Sequence, residues 1–261
     1  MNTSRLHLLF CIDWHYLLFH RSIILKKKGS KLVVSKGVKI SQTKIIVQEG
    51  ATCILERNVI LRKSSLNITR NSFINLGEKT TVTSKNIIVN GSLVVGSENF
   101  ILGNGDLIWI QNGRLEIGTR NRVKGGIWIR FGGKVKIDNY NTINEGTEIR
   151  CDELVTIGSY NQVSMNIRIW DTNTHRMFYN EEELETFIIS HYPNWDEDQK
   201  PKTKPVIIGN NNWIGEYAFI KNTIIGNHCI IGTRTMVIGK NLKDNLIVTN
   251  KIECRYEEYL V

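Results

Sequence analysis

Residues 117–169 can be written as three lines that start at the same point of a repeat: IGTRNRVKGGIWIRFGGKVK (117–136), IDNYNTINEGTEIRCDELVT (137–156) and IGSYNQVSMNIRI (157–169). A branched apolar residue occurs at every sixth position of each line, and the lines repeat after 20 residues. These positions are Ile117, Val123, Ile129, Ile137, Ile143, Ile149, Ile157, Val163 and Ile169. A six-residue step with one inward branched side chain predicts a coil of three short strands separated by tight turns.

The same step continues on both sides of this stretch. Downstream it resumes at Ile208, Ile214, Ile220, Ile225, Ile231 and Val237, and glycine, which suits a tight turn, follows several of these residues. Upstream it is looser, through Ile54, Ile60, Leu66, Leu76, Val82, Ile88, Val95, Ile101 and Leu107. We therefore predict one parallel β-solenoid of nine or ten coils over residues 31–240, interrupted by a long irregular loop at 171–205. A helical segment at 1–30 and a tail at 241–261 complete the predicted domain organisation.

The composition supports an all-β fold. The chain holds 37 Ile and 17 Val but only two Ala, and β-branched residues favour strands whereas Ala favours helices. It also holds 27 Asn and 21 Gly, residues that tolerate the positive φ angles of tight turns.

Residues 6–19 (LHLLFCIDWHYLLF) predict a short apolar helix, which the basic run Lys26–Lys28 follows. This helix caps the solenoid or packs on a partner subunit, or else it lies on an anionic membrane surface. It is shorter than the roughly 20 residues that span a bilayer, and no signal-peptide cleavage site follows it. Five widely spaced cysteines without a CxxC motif predict free thiols. We therefore expect a cytoplasmic protein, with peripheral contact to the inner face of the membrane as an open alternative.

The formal charge of +9 favours an anionic partner without saying whether it is a cofactor, a glycan or a lipid. The loop at 171–205 has eight acidic and four basic residues, so the rest of the chain carries 9 + 4 = +13. No nucleic-acid-binding motif accompanies the basic charge, and we expect no nucleic-acid partner.

The segment 208–237 (IGNNNWIGEYAFIKNTIIGNHCIIGTRTMV) resembles the hexapeptide-repeat acyltransferases, which fold as left-handed parallel β-helices. Within that family it is similar to the branch that O-acetylates sugars and capsule polysaccharides. The resemblance covers residues 137–240 and rests on Trp213-Ile214-Gly215, on Ile231–Thr235 (IGTRT) and on Ile169–His175 (IWDTNTH). Asn144-Glu145-Gly146 also fits the branch.

The resemblance implies acetyl-CoA as acetyl donor, no metal, and a homotrimer with each active site in the groove between neighbouring solenoids. Acetyl transfer to a sugar hydroxyl needs a base of near-neutral pKa, and His175 matches the family's catalytic histidine. Asp171 could hold the other ring nitrogen of His175, and Asn144 matches an asparagine that positions the acceptor. Trp213 matches a residue beside the thioester. The expected cofactor contacts are Trp213, Gly215, Lys221, Gly232, Arg234 and Lys240.

The chain departs from the family pattern at two points. The step from Ile220 to Ile225 is five residues, and Thr249–Ile252 stands where the family has G-x-P-A. Three alternatives remain: an N-acetyltransferase acting on an amino-sugar nucleotide, a non-catalytic solenoid that binds a partner, and a γ-class carbonic anhydrase with three histidines on zinc. His175, His191 and His228 do not share the step pattern that the zinc site needs. We expect a carbohydrate acceptor that is acidic or lipid-linked.

Overall fold

The computed structural model describes residues 18–103, 107–178, 180–193 and 197–250. In these residues the chain forms a parallel β-solenoid of about ten coils, whose three faces we call face 1, face 2 and face 3 in the order in which the chain visits them. Corner 1/2, corner 2/3 and corner 3/1 are the turns between them. The prediction of an all-β solenoid with three faces is confirmed.

The strands fall into three sets. Face 1 holds β1 (Leu18–His20), β4 (Lys39–Ser41), β7 (Ile60–Arg62), β10 (Thr81–Thr83), β12 (Phe100–Leu102), β14 (Arg122–Val123), β17 (Thr142–Ile143), β20 (Gln162–Val163), β23 (Trp213–Ile214), β26 (Ile230–Ile231) and β29 (Ile247–Val248). Face 2 holds β2 (Ile23–Lys26), β5 (Lys44–Val47), β8 (Ser65–Ile68), β15 (Gly126–Ile129), β18 (Glu148–Cys151), β21 (Arg168–Trp170), β24 (Phe219–Lys221) and β27 (Met236–Ile238). Face 3 holds β3 (Lys31–Val34), β6 (Thr52–Leu55), β9 (Phe73–Leu76), β16 (Lys134–Ile137), β19 (Leu154–Ile157), β22 (Val206–Ile208), β25 (Ile224–Ile225) and β28 (Asn241–Leu242).

Two longer strands, β11 (Asn86–Val95) and β13 (Leu107–Ile117), run from face 2 onto face 3 and pair with each other across a bulge at Asn90/Gly91. The helix α1 (Glu181–His191) lies between β21 and β22. Each strand pairs in parallel with the strand one coil away, so residues one period apart are neighbours.

The nine inward positions of residues 117–169 are all buried, with exposed fractions of 2% or less. The six downstream positions from Ile208 to Val237 are buried to the same degree. The six-residue step therefore identified the core over this part of the chain.

The upstream pattern was partly wrong. The side chains of Ile54, Ile60, Ile88 and Leu107 occupy outward positions of their strands, and Ile60 is 36% exposed. The buried residues are their chain neighbours Leu55, Leu61, Ile87 and Ile108. Because side chains alternate between the two sides of a strand, an adjacent apolar pair leaves the inward residue ambiguous.

Strands also lie outside the predicted limits of residues 31 and 240. Before residue 31 the structure has β1 and β2, and after residue 240 it has β28 and β29. The predicted helix at 6–19 lies outside the described residues except for its last two positions, which belong to β1. In the described part of the chain no helix has the length and apolar character that crossing a bilayer requires.

The predicted free thiols are confirmed for Cys53, Cys151 and Cys229, which are unpaired and buried. Burial raises the pKa of the Cys53 thiol to about 12, and burial likewise raises that of Cys151. Both thiols are therefore held in the unreactive neutral form.

A column of buried asparagines supports corner 3/1. Its members are Asn99, Asn121, Asn141, Asn161 and Asn212. The side-chain oxygens of the first four accept the backbone N–H of the next asparagine one coil on, at 2.8–2.9 Å, and that of Asn212 accepts the Cys229 N–H at 2.7 Å. The side-chain NH₂ groups of Asn121, Asn141 and Asn161 donate to corner carbonyls. The column satisfies backbone groups that the turns leave without strand partners.

Asn141→Ala should lower the free energy of unfolding by ~2–4 kcal/mol, because it leaves the N–H of Asn161 and the carbonyl of Gly158 without these partners. The matched control is Asn86→Ala, which changes an exposed strand residue and should stay within about 0.5 kcal/mol. Urea unfolding followed by circular dichroism measures both. Equal unfolding midpoints for the two variants would contradict a stabilising role for the column.

Candidate active site

The loop at 171–205, which we call the arm, leaves and re-enters the solenoid at corner 2/3, between β21 and β22. Its two ends lie side by side. Thr172 and Thr203 form an antiparallel bridge, the N–H of Asn173 donates to the Lys202 carbonyl at 3.1 Å, and the N–H of Lys204 donates to the Asp171 carbonyl at 2.9 Å. The base of the arm is therefore held at this corner.

Asp171 is fully buried at the base of the arm. Its carboxylate accepts the backbone N–H groups of Asp152, Glu153 and Leu154 at 2.7–2.8 Å. Burial raises the pKa of this carboxyl group, although the N–H donors act in the opposite direction. The predicted pairing of Asp171 with His175 is not what the structure shows, because both oxygens are bonded to the corner backbone of the preceding coil.

An ion pair at the same corner fixes the start of the arm. Arg130 contacts both carboxylate oxygens of Asp152, at 3.0 and 2.8 Å, and Asp152 also accepts the Thr172 hydroxyl at 2.6 Å. The guanidinium of Arg130 donates further to the Thr174 carbonyl at 3.2 Å. The residue before His175 is thereby tied to the solenoid.

His175 presents an imidazole that is 69% exposed, and its Nδ1 lies 3.1 Å from Oε1 of Glu197. The Glu197 side chain is only 2% exposed, and the same oxygen accepts the Arg176 N–H at 3.2 Å. With an ionised Glu197 carboxylate, which can only accept, this contact assigns the proton of a neutral His175 ring to Nδ1 and leaves Nε2 as an acceptor. The carboxylate beside His175 therefore belongs to Glu197 and not, as predicted, to Asp171.

Sequence reasoning missed Glu197 because the arm follows no repeat and holds seven other acidic residues. What places Glu197 is the packing of the arm on itself. The Arg176 guanidinium lies over the rings of Phe178 and Phe187, at 4.5 and 4.8 Å, and pairs with Asp198 at 3.2 Å. These contacts join Arg176 to the helix α1 and to Asp198, which follows Glu197 in the chain.

Asn144 and Trp213, the other predicted active-site residues, share a groove of about 480 Å³ on face 1. Trp213 is 56% exposed, and Nδ2 of Asn144 donates to the Val163 carbonyl at 3.1 Å. The rest of the lining is formed by uncharged residues, including Tyr140, Tyr160 and Gln162.

Three predicted cofactor residues lie at corner 1/2. A Cβ at Gly215 would lie 2.6 Å from the Thr233 nitrogen, and one at Gly232 would lie 2.9 Å from the Thr249 methyl group. Close packing of successive coils therefore explains both glycines. Arg234, in the next coil, lies 5.7 Å from the Tyr217 ring. The two remaining cofactor residues, Lys221 and Lys240, lie elsewhere: Lys221 ends β24 and Lys240 follows β27, both at corner 2/3.

Within a single chain, the predicted site residues therefore lie in two separate places. His175, Lys221 and Lys240 lie at corner 2/3, which is the corner that does not border face 1. Asn144, Trp213, Gly215, Gly232 and Arg234 lie on face 1 or at corner 1/2.

Each of the three histidines of the zinc alternative has a different Nδ1 partner, which for His175 is Glu197. His191 Nδ1 lies 2.8 Å from the Phe187 carbonyl, and His228 Nδ1 lies 2.7 Å from Nδ2 of Asn211. The residues that the structure describes include no group of three or more His, Cys, Asp or Glu side chains able to hold a metal ion.

No family model matches the chain, and no curated protein matches it. Solved structures that resemble it include the polySia-specific acetyltransferase NeuO, at 15% identity and a TM-score of 0.36, covering 94% of this chain and 90% of that chain. The polysialic acid O-acetyltransferase OatWY is 16% identical with a TM-score of 0.39, covering 88% and 85% of the two chains. A UDP-N-acetylglucosamine acyltransferase from Arabidopsis is 14% identical with a TM-score of 0.28, covering 84% and 59%. At these scores the likeness assigns no activity to the chain.

His175 and His228 should show opposite tautomers in their neutral forms. His175 should carry its proton on Nδ1, facing Glu197, and His228 on Nε2, because its Nδ1 faces an amide donor. Nitrogen-15 shifts of the imidazoles measure this. Glu197→Ala should move His175 toward the Nε2–H form and leave His228, the internal control, unchanged. An Nε2–H form at His175 in the unaltered protein would contradict the pairing.

Proposed function

We propose that the protein is an acetyltransferase that transfers the acetyl group of acetyl-CoA to a hydroxyl of a bacterial surface glycan or its precursor. The observation that carries this proposal is the pairing of the exposed His175 imidazole with the buried Glu197 carboxylate at 3.1 Å. A histidine held in this way suits a general base that acts through its free ring nitrogen. The similarity of residues 137–240 to sugar O-acetyltransferases supplies the reaction type.

In the proposed reaction Nε2 of His175 takes the proton of the acceptor hydroxyl while the hydroxyl oxygen forms a bond to the acetyl carbonyl carbon. Nε2 then returns this proton to the sulfur as the carbon–sulfur bond breaks, giving the acetyl ester and free coenzyme A. Glu197 stabilises the imidazolium that exists between the two steps. Lys221 and Lys240, at the same corner as His175, suit the phosphates of coenzyme A through charge-assisted hydrogen bonds.

We further propose a homotrimer in which corner 2/3 of one chain faces face 1 of its neighbour. This arrangement would join the two parts of the site that one chain keeps apart. The arm supports it, since Met177, Ile189 and Tyr192 are 71%, 77% and 73% exposed there. Side chains of this kind gain free energy when a partner buries them. The acidic arm also complements the basic remainder of the chain.

The first coil supports peripheral contact with a membrane. Ile23 and Leu25 are 56% and 47% exposed on β2, and Lys26–Lys28 follow directly. Apolar side chains beside a basic run suit an anionic lipid surface. We propose that the enzyme works in the cytoplasm, at the inner face of the membrane.

His175→Ala should reduce turnover by roughly 10²–10⁴-fold, the contribution of a positioned general base. Glu197→Gln should cause a smaller loss, because the base remains but is less well oriented. Release of free thiol from acetyl-CoA in the presence of a panel of bacterial polysaccharides measures both. His228→Gln, which changes an exposed histidine at another corner, is the control and should keep its activity. Turnover of His175→Ala within a few-fold of the unaltered protein would contradict the assignment.

Mixed assemblies test whether two chains build one site. His175→Ala and Trp213→Ala should each be nearly inactive alone. When both variants are unfolded and refolded together, a site that takes one residue from each of two chains is intact in roughly one quarter of cases. The mixture should therefore regain about a quarter of the unaltered activity. If mass spectrometry shows that the assemblies contain both variants and no activity is regained, the whole site lies in one chain.

A further inference from the structure

The face 1 groove is longer than the part that holds Asn144 and Trp213. Outward side chains of Phe100, Arg122, Thr142, Gln162 and Trp213 stand in one column, since each pairs in register with the next. Four steps between neighbouring strands correspond to ~19 Å along the solenoid axis. Two cavities of about 530 and 480 Å³ lie along this column and share Tyr140 and Thr142 in their linings.

A second column, at corner 3/1, forms one wall of the groove. Tyr140 and Tyr160 have positive φ angles of 59° and 62°, and their rings stack with centroids 5.0 Å apart and planes 4° apart. Arg120 extends the column by donating to the Tyr140 hydroxyl at 3.0 Å. Bulky residues rarely adopt positive φ, so these tyrosines are held in a strained conformation that presents their rings beside the groove.

Aromatic surface is exposed along the whole groove. Phe100, Tyr140, Tyr160 and Trp213 are 51%, 43%, 57% and 56% exposed. Aromatic rings that alternate with amides and hydroxyls suit a carbohydrate, because the C–H face of a sugar ring packs on an aromatic ring while its hydroxyls need hydrogen-bond partners.

The two ends of the groove differ in charge. Of the described residues, Lys79, Arg120 and Arg122 line the N-terminal cavity, with Glu98 as the one carboxylate among them. Arg120 is paired with Glu98 at 2.7 Å, which leaves two cationic side chains for a ligand. The cavity beside Asn144 and Trp213 has no charged side chain among the lining residues that the structure describes.

We propose that the face 1 groove binds an extended polysaccharide that contains acidic sugars. Arg122 and Lys79 hold a carboxylate of the polysaccharide, and the stacked tyrosines support the sugar rings that follow it. The uncharged end of the groove, beside Asn144 and Trp213, presents a sugar hydroxyl for reaction. The proposal rests on the proposed function for the identity of that reaction. It specifies the acceptor as a polymer, because a single sugar ring is much shorter than the column from Phe100 to Trp213.

Binding without any acetyl donor tests the groove directly. Oligomers of galacturonic acid, hyaluronan and polysialic acid of increasing length are titrated into the full chain, with tyrosine and tryptophan fluorescence and calorimetry as readouts. Affinity for at least one acidic series should rise with length until the oligomer fills the groove, and it should fall as salt is added. Neutral dextran oligomers should bind weakly or not at all. Absence of binding in all three acidic series, or binding that does not depend on length, would overturn the proposal.

Matched variants locate the site. Arg122→Gln should weaken binding of the longest acidic oligomer about tenfold, the loss of one charge-assisted hydrogen bond. Lys134→Gln removes an exposed cation from β16 on face 3 and should change nothing. Equal losses in the two variants would mean that the glycan responds only to net charge.

A neighbouring subunit's arm is the competing occupant of the groove. If it fills the N-terminal cavity, the exposed Lys79 amine will resist an amine-labelling reagent without glycan, and oligomers will add no protection; that result would overturn the proposal. Failure of the proposed function gives a different result. A protein that binds acidic oligomers but releases no thiol from acetyl-CoA would support the binding groove and contradict the proposed reaction.

Discussion

The hydrogen bonds between successive coils are the constraint on which the rest of the structure depends. The described strands pair in parallel with the strand one coil away, in register except at the bulge between β11 and β13, so a strand residue is a close neighbour of the residues one coil before and after it. Buried branched residues stack along the axis as a result, and the same rule stacks asparagines at corner 3/1 and outward side chains on face 1. A binding groove can therefore arise from residues that are far apart in the chain, such as Thr142, Gln162 and Trp213, at separations of 20 and 51 positions.

The repeat also determines where chemistry can occur. A side chain within the repeat is confined to one face or corner of the solenoid. The arm lies outside the repeat, so it can place side chains at positions that the coils do not reach. His175 and Glu197 both lie in the arm, and the short contacts of Thr172 and Thr174 with Asp152 and Arg130 hold its base. The proposed base is therefore fixed to a rigid solenoid although it lies in a loop.

Much of the fold could be predicted from the sequence, because a six-residue step in branched residues is compatible with few folds besides a three-faced solenoid. The inward residues from Ile117 onward follow directly, but the first coils contain pairs such as Ile54-Leu55 and Ile60-Leu61, in which either residue could face inward. The site was predicted less completely. The motif that ends at His175 predicted the proposed base, but Asp171 is bonded to three N–H groups of the previous coil, and no local pattern marks those donors. Glu197 lies 22 residues after His175, and only the folding of the arm brings the two together.

The central claim is that His175 of one chain acts on a ligand held against face 1 of another. A crystal structure of the assembled protein with coenzyme A tests it most directly. We predict that the cofactor sulfur lies beside Nε2 of His175 from one chain and beside Trp213 from its neighbour. A cofactor whose sulfur contacts Trp213 with no histidine from a second chain nearby would contradict the claim.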